Sequence, residues 1–143
     1  MPYRYLDDVA TADIAFIAEG RDLSETFISA CEATVRVMVE NIEAIEPRES
    51  RVLVIHHEHL DMLLFNLLQE LLFYKDAEQL MLRIRQVTVD KKDDIYELQA
   101  QAVGETIDPE RHILRVDVKA VTLHQFQLTK TGQGWEAMVI LDV

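Results

Sequence analysis

The sequence predicts an α+β fold: a two-layer sandwich in which two helices pack on one side of a largely antiparallel or mixed sheet, within a single domain spanning residues 1–143. Three observations lead there. Leu60 to Leu72 places leucine at helical spacing throughout, and Leu23 to Met38 repeats the spacing behind a capping signal. About seven short apolar runs separated by polar turns read as strands. A chain of 143 residues with 49% apolar content can bury its own core, and four glycines with three prolines leave no room for a flexible linker or a repeat array.

Taken in order, Tyr3 to Leu6 is a short strand, Asp7-Asp8 a turn, and Asp13-Ile-Ala-Phe-Ile-Ala18 a second strand punctuated by Gly20. Asp22-Leu-Ser-Glu25 has the spacing of a capping box. Behind it Leu23, Phe27, Ala30, Cys31, Thr34, Val35 and Met38 form one face of a helix ending near Asn41, with Glu32 and Arg36 placed for an i,i+4 pair. Pro47 and Glu49-Ser50 mark a loop before the β-branched run Arg51 to Ile55, and the leucine helix follows. Leu80 to Val89 and Ile95 to Val103 are strands joined by the polar turn Asp90-Lys-Lys-Asp-Asp94. In the second of these, Glu97, Gln99 and Gln101 alternate with apolar residues, which predicts one solvated face and antiparallel pairing. Asp108-Pro109-Glu110 is a turn, Ile113 to Leu128 a long strand, Thr131-Gly-Gln-Gly134 a hairpin loop, and Trp135 to Val143 the closing strand.

Charge and cysteine content narrow the function. A formal net charge of −12 opposes direct binding to a phosphate backbone, and favours basic protein partners or cations, although solubility alone also accounts for it. The segment Met1-Pro-Tyr-Arg-Tyr-Leu lacks the charged and apolar regions of a signal peptide, and no apolar run reaches membrane-spanning length. The single cysteine, Cys31, lies on the apolar face of the first helix and reads as a core residue in a reducing compartment. A cytoplasmic protein without membrane contact is expected.

Candidate chemistry is sparse. His56-His57-Glu58-His59 has the composition of a metal cluster, but Asp61 stands where the zinc-protease pattern needs its second histidine, so a solvated strand-to-helix junction is the better reading. Period-two alternation from Ile113 to Leu128 puts Asp117, Lys119, Val121 and Leu123 on one face and Val118, Ala120, Thr122 and His124 on the other. Lys119 then shares no face with His124 unless a bulge intervenes, and it either snorkels from an edge or pairs with a carboxylate. There is no phosphate-binding glycine loop, Cys-x-x-Cys or nucleophile elbow. The most informative residue is Asp142, a lone carboxylate closing the apolar run Ala137-Met-Val-Ile-Leu. An unpaired charge there costs several kcal/mol if buried, so it requires a metal ion, a lysine or bulk solvent at a frayed end.

Four blocks, in order along nearly the whole chain, resemble the archease family, small acidic proteins that act as cofactors of RtcB-type RNA ligases in tRNA splicing. They are Thr11-Ala-Asp-Ile-Ala15 with Gly20 and the capped helix; Leu63-Leu-Phe-Asn-Leu-Leu-Gln-Glu-Leu-Leu72 with Asp76-Ala-Glu78; Val118-Lys-Ala-Val-Thr-Leu-His124; and Trp135-Glu-Ala with Val139-Ile-Leu-Asp-Val143. The resemblance implies a divalent cation, calcium or magnesium or manganese, held by Asp13, Asp142 and an oxygen of Val143, with Lys119 as a functional basic residue nearby and His124 as a possible secondary group. It implies an activator rather than an enzyme, one that promotes guanylylation of the ligase's histidine and its multiple turnover. Two departures from the family pattern are Ala10, where a histidine is usual, and a longer Asp7-Asp8-Val9-Ala10 stretch. The alternatives are a stand-alone metal-dependent phosphoester or nucleotide enzyme built on Asp13, Asp142 and His124, and a metal-independent acidic interaction or chaperone-like module.

Overall fold

A computed structural model describes residues 2–6 and 13–143. The expectations placed on Asp7, Asp8, Ala10, Thr11 and Ala12 lie outside the described residues. The elements run β1 (Tyr3–Leu6), β2 (Asp13–Gly20), α1 (Leu23–Met38), a single 3-10 turn (Ile42–Ala44), β3 (Glu49–His57), α2 (Leu60–Glu78), β4 (Leu80–Lys92), β5 (Ile95–Thr106), β6 (Ala120–Thr131) and β7 (Gly134–Asp142). The α+β class stands, but the strands divide into two sheets instead of forming one. A four-stranded sheet has the order β1-β2-β7-β6, a three-stranded sheet the order β3-β5-β4, and every pairing is antiparallel. Both helices touch both sheets, so their apolar faces join the two into one core. No helix among the described residues is long and apolar enough to cross a membrane.

The helices form where the periodicity places them. In α1 the Asp22 side chain accepts the Glu25 N–H at 2.8 Å, half of the expected box. The other half is missing because the Glu25 carboxylate pairs with Arg21 at 2.9 Å. The Glu32–Arg36 pair is also absent: Glu32 binds Arg83 of β4, while Arg36 donates to the Tyr3 hydroxyl at 2.7 Å and pairs with Glu43 at 3.0 Å. Tertiary partners hold both side chains more favourably than an exposed helix pair worth a few tenths of a kcal/mol. Cys31 is buried and free, and burial pushes its thiol far above the ordinary range. In α2 Leu63, Leu64, Leu67 and Leu68 are fully enclosed, each stabilising by about 2 kcal/mol. The helix runs beyond Leu72 to Glu78 and stops at Gln79, whose left-handed conformation (φ 53) forms the cap.

Around the three-stranded sheet, β5 turns Gln99 and Gln101 to solvent and Leu98, Ala100 and Ala102 to the core, as the alternation requires. The β4–β5 turn is tighter than its polar composition implies. The strands continue to Lys92 and Ile95, leaving Asp93-Asp94 as the connection, with Asp93 at φ 60, a conformation aspartate tolerates. At the far end of the same hairpin, Gly104 lies against β4 so closely that a Cβ there would sit 1.9 Å from the Met81 carbonyl oxygen.

The largest departure is the strand expected from Ile113 to Leu128. Regular pairing begins only at Ala120, because the residues before it serve a different partner. The last carbonyls of a helix have no acceptor role inside it. Here the Arg115 N–H donates to Met38 O at 2.9 Å and the Val116 N–H to Val37 O at 3.2 Å, with a bridge between Val39 and Leu114. This connection is anchored upstream by Glu105, only 3% exposed, which pairs with Arg111 and with the His112 ring at 3.0 Å and accepts the Glu46 N–H at 2.7 Å. The His112 Nδ1 accepts the Asp108 N–H at 2.9 Å, so Nε2 carries the proton donated to Glu105.

Two outcomes follow from these contacts. Gly104→Ala should lower unfolding stability by about 3 kcal/mol through overpacking, read as a drop in the urea midpoint. Burial alone would raise the Glu105 carboxyl, but hydrogen bonds from the Glu46 N–H, His112 and Arg111 outweigh it and hold it below its ordinary 4.5. Its contribution to stability is therefore complete above that value and is lost as pH falls through the lower folded value. Glu105→Gln should cost about 2 kcal/mol at neutral pH, and the difference from wild type should shrink steadily in denaturation curves taken below pH 4.5.

Candidate functional site

The site grows out of the β2–β7 pairing. These central strands match from Gly20 opposite Trp135 to Asp13 opposite Asp142 without interruption. Phe16 faces Val139, Ala18 faces Ala137 and Ile14 faces Leu141, and a slip of one residue would turn this apolar set outward. Gly134 pins the far end: it has φ 154, and a Cβ on it would lie 2.0 Å from the Gly20 carbonyl oxygen. The register that buries the apolar partners therefore also sets two aspartates directly against each other.

Directly opposed residues of an antiparallel pair project from the same face. Phe16 packs edge-on against Tyr5, whose hydroxyl donates to Ala33 O of α1 at 2.7 Å, so Phe16 and its even-numbered neighbours face the helix. Asp13 and Asp142, of the other parity on β2 and its matching position on β7, share the face turned away from α1, and both are half-buried. Like charges so placed destabilise a sheet unless a cation offsets them. Asp142 is not at a frayed end. Its carbonyl accepts the Lys119 N–H at 2.8 Å, Ala120 lies opposite it on the β6 side, and Val143 packs against the core.

The structure thus brings Asp13, Asp142, Val143 and Lys119 to one end of the four-stranded sheet. Lys119 joins through its backbone, and its side chain is exposed. His124 is not brought into register with them. Between Thr122–Ile140 and Gln127–Met138 the β6–β7 pairing shifts, with Gln125 at φ 54, and exposed His124 lies inside this bulge. The parity that set Lys119 and His124 on opposite faces breaks there. The histidine run at β3–α2 is the solvated junction expected: His56 meets Glu97 at 3.2 Å, and the His57 Nδ1 accepts the His59 N–H at 3.0 Å. An open cleft of about 600 Å³ lies at the opposite end of β2 and β7, beside Glu19, Arg21 and Trp135.

The donor set can be tested against a cation. Among the described residues no three or more His, Cys, Asp or Glu side chains are arranged to hold a metal ion. Two opposed carboxylates offer hard oxygen donors, the type that calcium or magnesium takes together with waters. Oxygen donors alone do not suit zinc, which takes nitrogen and sulfur ligands.

One residue was missed from the sequence. Lys75, on α2, is 6% exposed; its ammonium donates to Asp117 Oδ1 at 2.7 Å and the Val118 carbonyl at 2.8 Å, and pairs with Asp76 Oδ1 at 2.6 Å. Burial alone would lower its pKa; the hydrogen bonds to Asp117 and Asp76 more than reverse this, leaving it above the ordinary lysine value. Its signal was present: Lys75 follows Leu68, Leu71 and Leu72 at i+7, i+4 and i+3, so a charge occupies the apolar stripe.

The architecture and site define a class: a small α+β protein of two antiparallel sheets bridged by two helices, with a carboxylate pair at one sheet end. A model of the Archease protein family matches residues 3–143. The chain belongs to the archease family. It is similar to the protein archease of Pyrococcus abyssi, 37% identical over 134 residues covering 93% of this chain and 94% of that one. The protein archease of Methanosarcina acetivorans is 32% identical over 142 residues, 99% of this chain and 95% of that one. The solution structure of Methanobacterium thermoautotrophicum protein 1598 superposes with a TM-score of 0.86 at 37% identity, covering 99% of each chain. A Thermotoga maritima archease described as a possible chaperone shares the fold, with a TM-score of 0.59 at 14% identity over 96% of each chain.

If the opposed carboxylates repel, Asp142→Asn should raise stability in chelator by about 0.5 kcal/mol. If a cation is what offsets them, calcium should raise the melting temperature of wild type and leave that of the variant unchanged, in thermal scans with and without the ion.

Proposed function

We propose that this protein is a cytoplasmic activator, not itself an enzyme, of an RtcB-type RNA ligase in tRNA splicing or RNA repair, promoting ligase guanylylation and multiple turnover. The observation that carries the reading is the direct opposition of Asp13 and Asp142, in a chain that belongs to the archease family. Asp13, Asp142 and an oxygen of Val143 would hold a divalent cation. When bound, such an ion supplies positive charge against phosphate oxygens. The chain's own contribution is positional. The β2–β7 register presents the carboxylates at a sheet end, and a backbone bond from Lys119 to the Asp142 carbonyl brings the main chain of that exposed residue to the same end. The net charge of −12 steers the whole toward a basic, RNA-binding partner and away from RNA itself.

Asp13→Ala and Asp142→Ala should each reduce stimulation of the ligase from the same organism by at least about tenfold, the loss usual even for residues that only support metal ligands. Their circular dichroism spectra should match wild type. Undiminished stimulation by both variants would sink the reading. Titration calorimetry with calcium, magnesium and manganese separates it from a metal-independent interaction or chaperone-like module, which predicts no binding. Turnover of nucleotides or phosphoesters by the purified protein alone would favour a stand-alone enzyme.

A further inference from the structure

We infer that Lys75 is a positioning residue for Lys119, acting through the single peptide group that joins Val118 to Lys119. The significance of Lys119 itself rests on the activator reading above; the positioning does not. The carbonyl of this peptide group accepts the Lys75 ammonium at 2.8 Å, and its N–H donates to the Asp142 carbonyl at 2.8 Å. A peptide unit is planar, so holding its oxygen from α2 and its hydrogen from β7 fixes its orientation. The Cα of Lys119, and the direction in which its exposed side chain leaves the surface, are then set relative to the acidic pair.

The chemistry of Lys75 suits this task. An ammonium has three donors; two are used on Asp117 and Val118, and Asp76 pairs with the same charge at 2.6 Å. Two acceptors belong to consecutive residues just before Lys119, so one side chain clamps both a side chain and a main-chain oxygen of the approach to β6. Val118 adds an apolar anchor at 0% exposure. The clamp is needed because no ladder holds this segment: regular pairing starts at Ala120, and residues 113–116 are committed to the end of α1. Burying a charge for structural support alone is costly, and an apolar residue of similar volume usually serves as well. A lysine earns its place on this leucine stripe by reaching a backbone oxygen that no apolar side chain can hold.

The test uses the full chain as wild type, Lys75→Met and Asp117→Asn, followed by amide hydrogen exchange. Methionine keeps the apolar stem in the buried site. Asp117, with a side chain 69% exposed, can lose its charge without disturbing the core, so its variant decides the matter if Lys75→Met does not fold. The Lys119 amide should exchange at least about tenfold faster in Lys75→Met and several-fold faster in Asp117→Asn, while the β2–β7 ladder keeps its protection. Unchanged protection of Lys119, or equal loss across the ladder, overturns the inference. In ligase stimulation, adding Lys75→Met to Lys119→Ala should lower activity no further than Lys119→Ala alone, whereas additive losses mark a merely structural lysine and overturn it. If Lys119→Ala leaves stimulation intact while its amide responds as expected, the activator reading fails and the positioning role stands.

Discussion

The pairing of β2 with β7 is the constraint on which the rest depends. One face of that ladder interlocks apolar residues under the helices, and a glycine contact at its far end forbids a shift, so the register has a single solution. Its consequence at the near end is electrostatically unfavourable: two aspartates in direct opposition. Hydrophobic burial over the five apolar pairs from Ile14–Leu141 to Ala18–Ala137 outweighs a repulsion of a fraction of a kcal/mol, so the fold holds the carboxylates together whatever they would prefer.

The second support comes from the opposite direction. The β5–β6 connection leaves one sheet, satisfies the exposed carbonyls of α1, and must then enter the other sheet beside β7. Two buried charges govern its path. Glu105 holds the start through Arg111 and His112, and Lys75 holds the end through Asp117 and Val118. Each is almost fully enclosed and each has hydrogen-bond partners for its charge, which is the condition under which a buried charge is tolerable. The two lysines of this region divide their roles accordingly: Lys75 is enclosed and committed to the chain, Lys119 is exposed and free to meet something outside it.

Much of this was legible in the chain. Leucine at helical spacing located α2, Asp22 before Leu23 located the start of α1, and alternation identified the solvated face of β5. Asp142 stood out as a lone carboxylate closing an apolar run, and Asp13 and Lys119 through blocks that resemble the archease family, to which the chain belongs. What misled was also local. Ile113 to Val118 has strand-like composition, yet the Arg115 and Val116 N–H groups go to helix-end carbonyls; Glu32 and Arg36 have ideal spacing, yet each finds a tertiary partner. His124 sits in a motif, yet a bulge takes it out of register.

The sequence by itself determined which residues face a core and where helices begin, because those properties depend on spacing within one element and on caps a few residues away. Only the tertiary structure decided the division into two sheets, the opposition of Asp13 to Asp142, the late start of β6 and the use of Lys75. Each of these is a choice of hydrogen-bond partner between segments far apart in the chain. Backbone donors and acceptors carry no side-chain label, so which N–H meets which carbonyl is settled by the packing that brings them together.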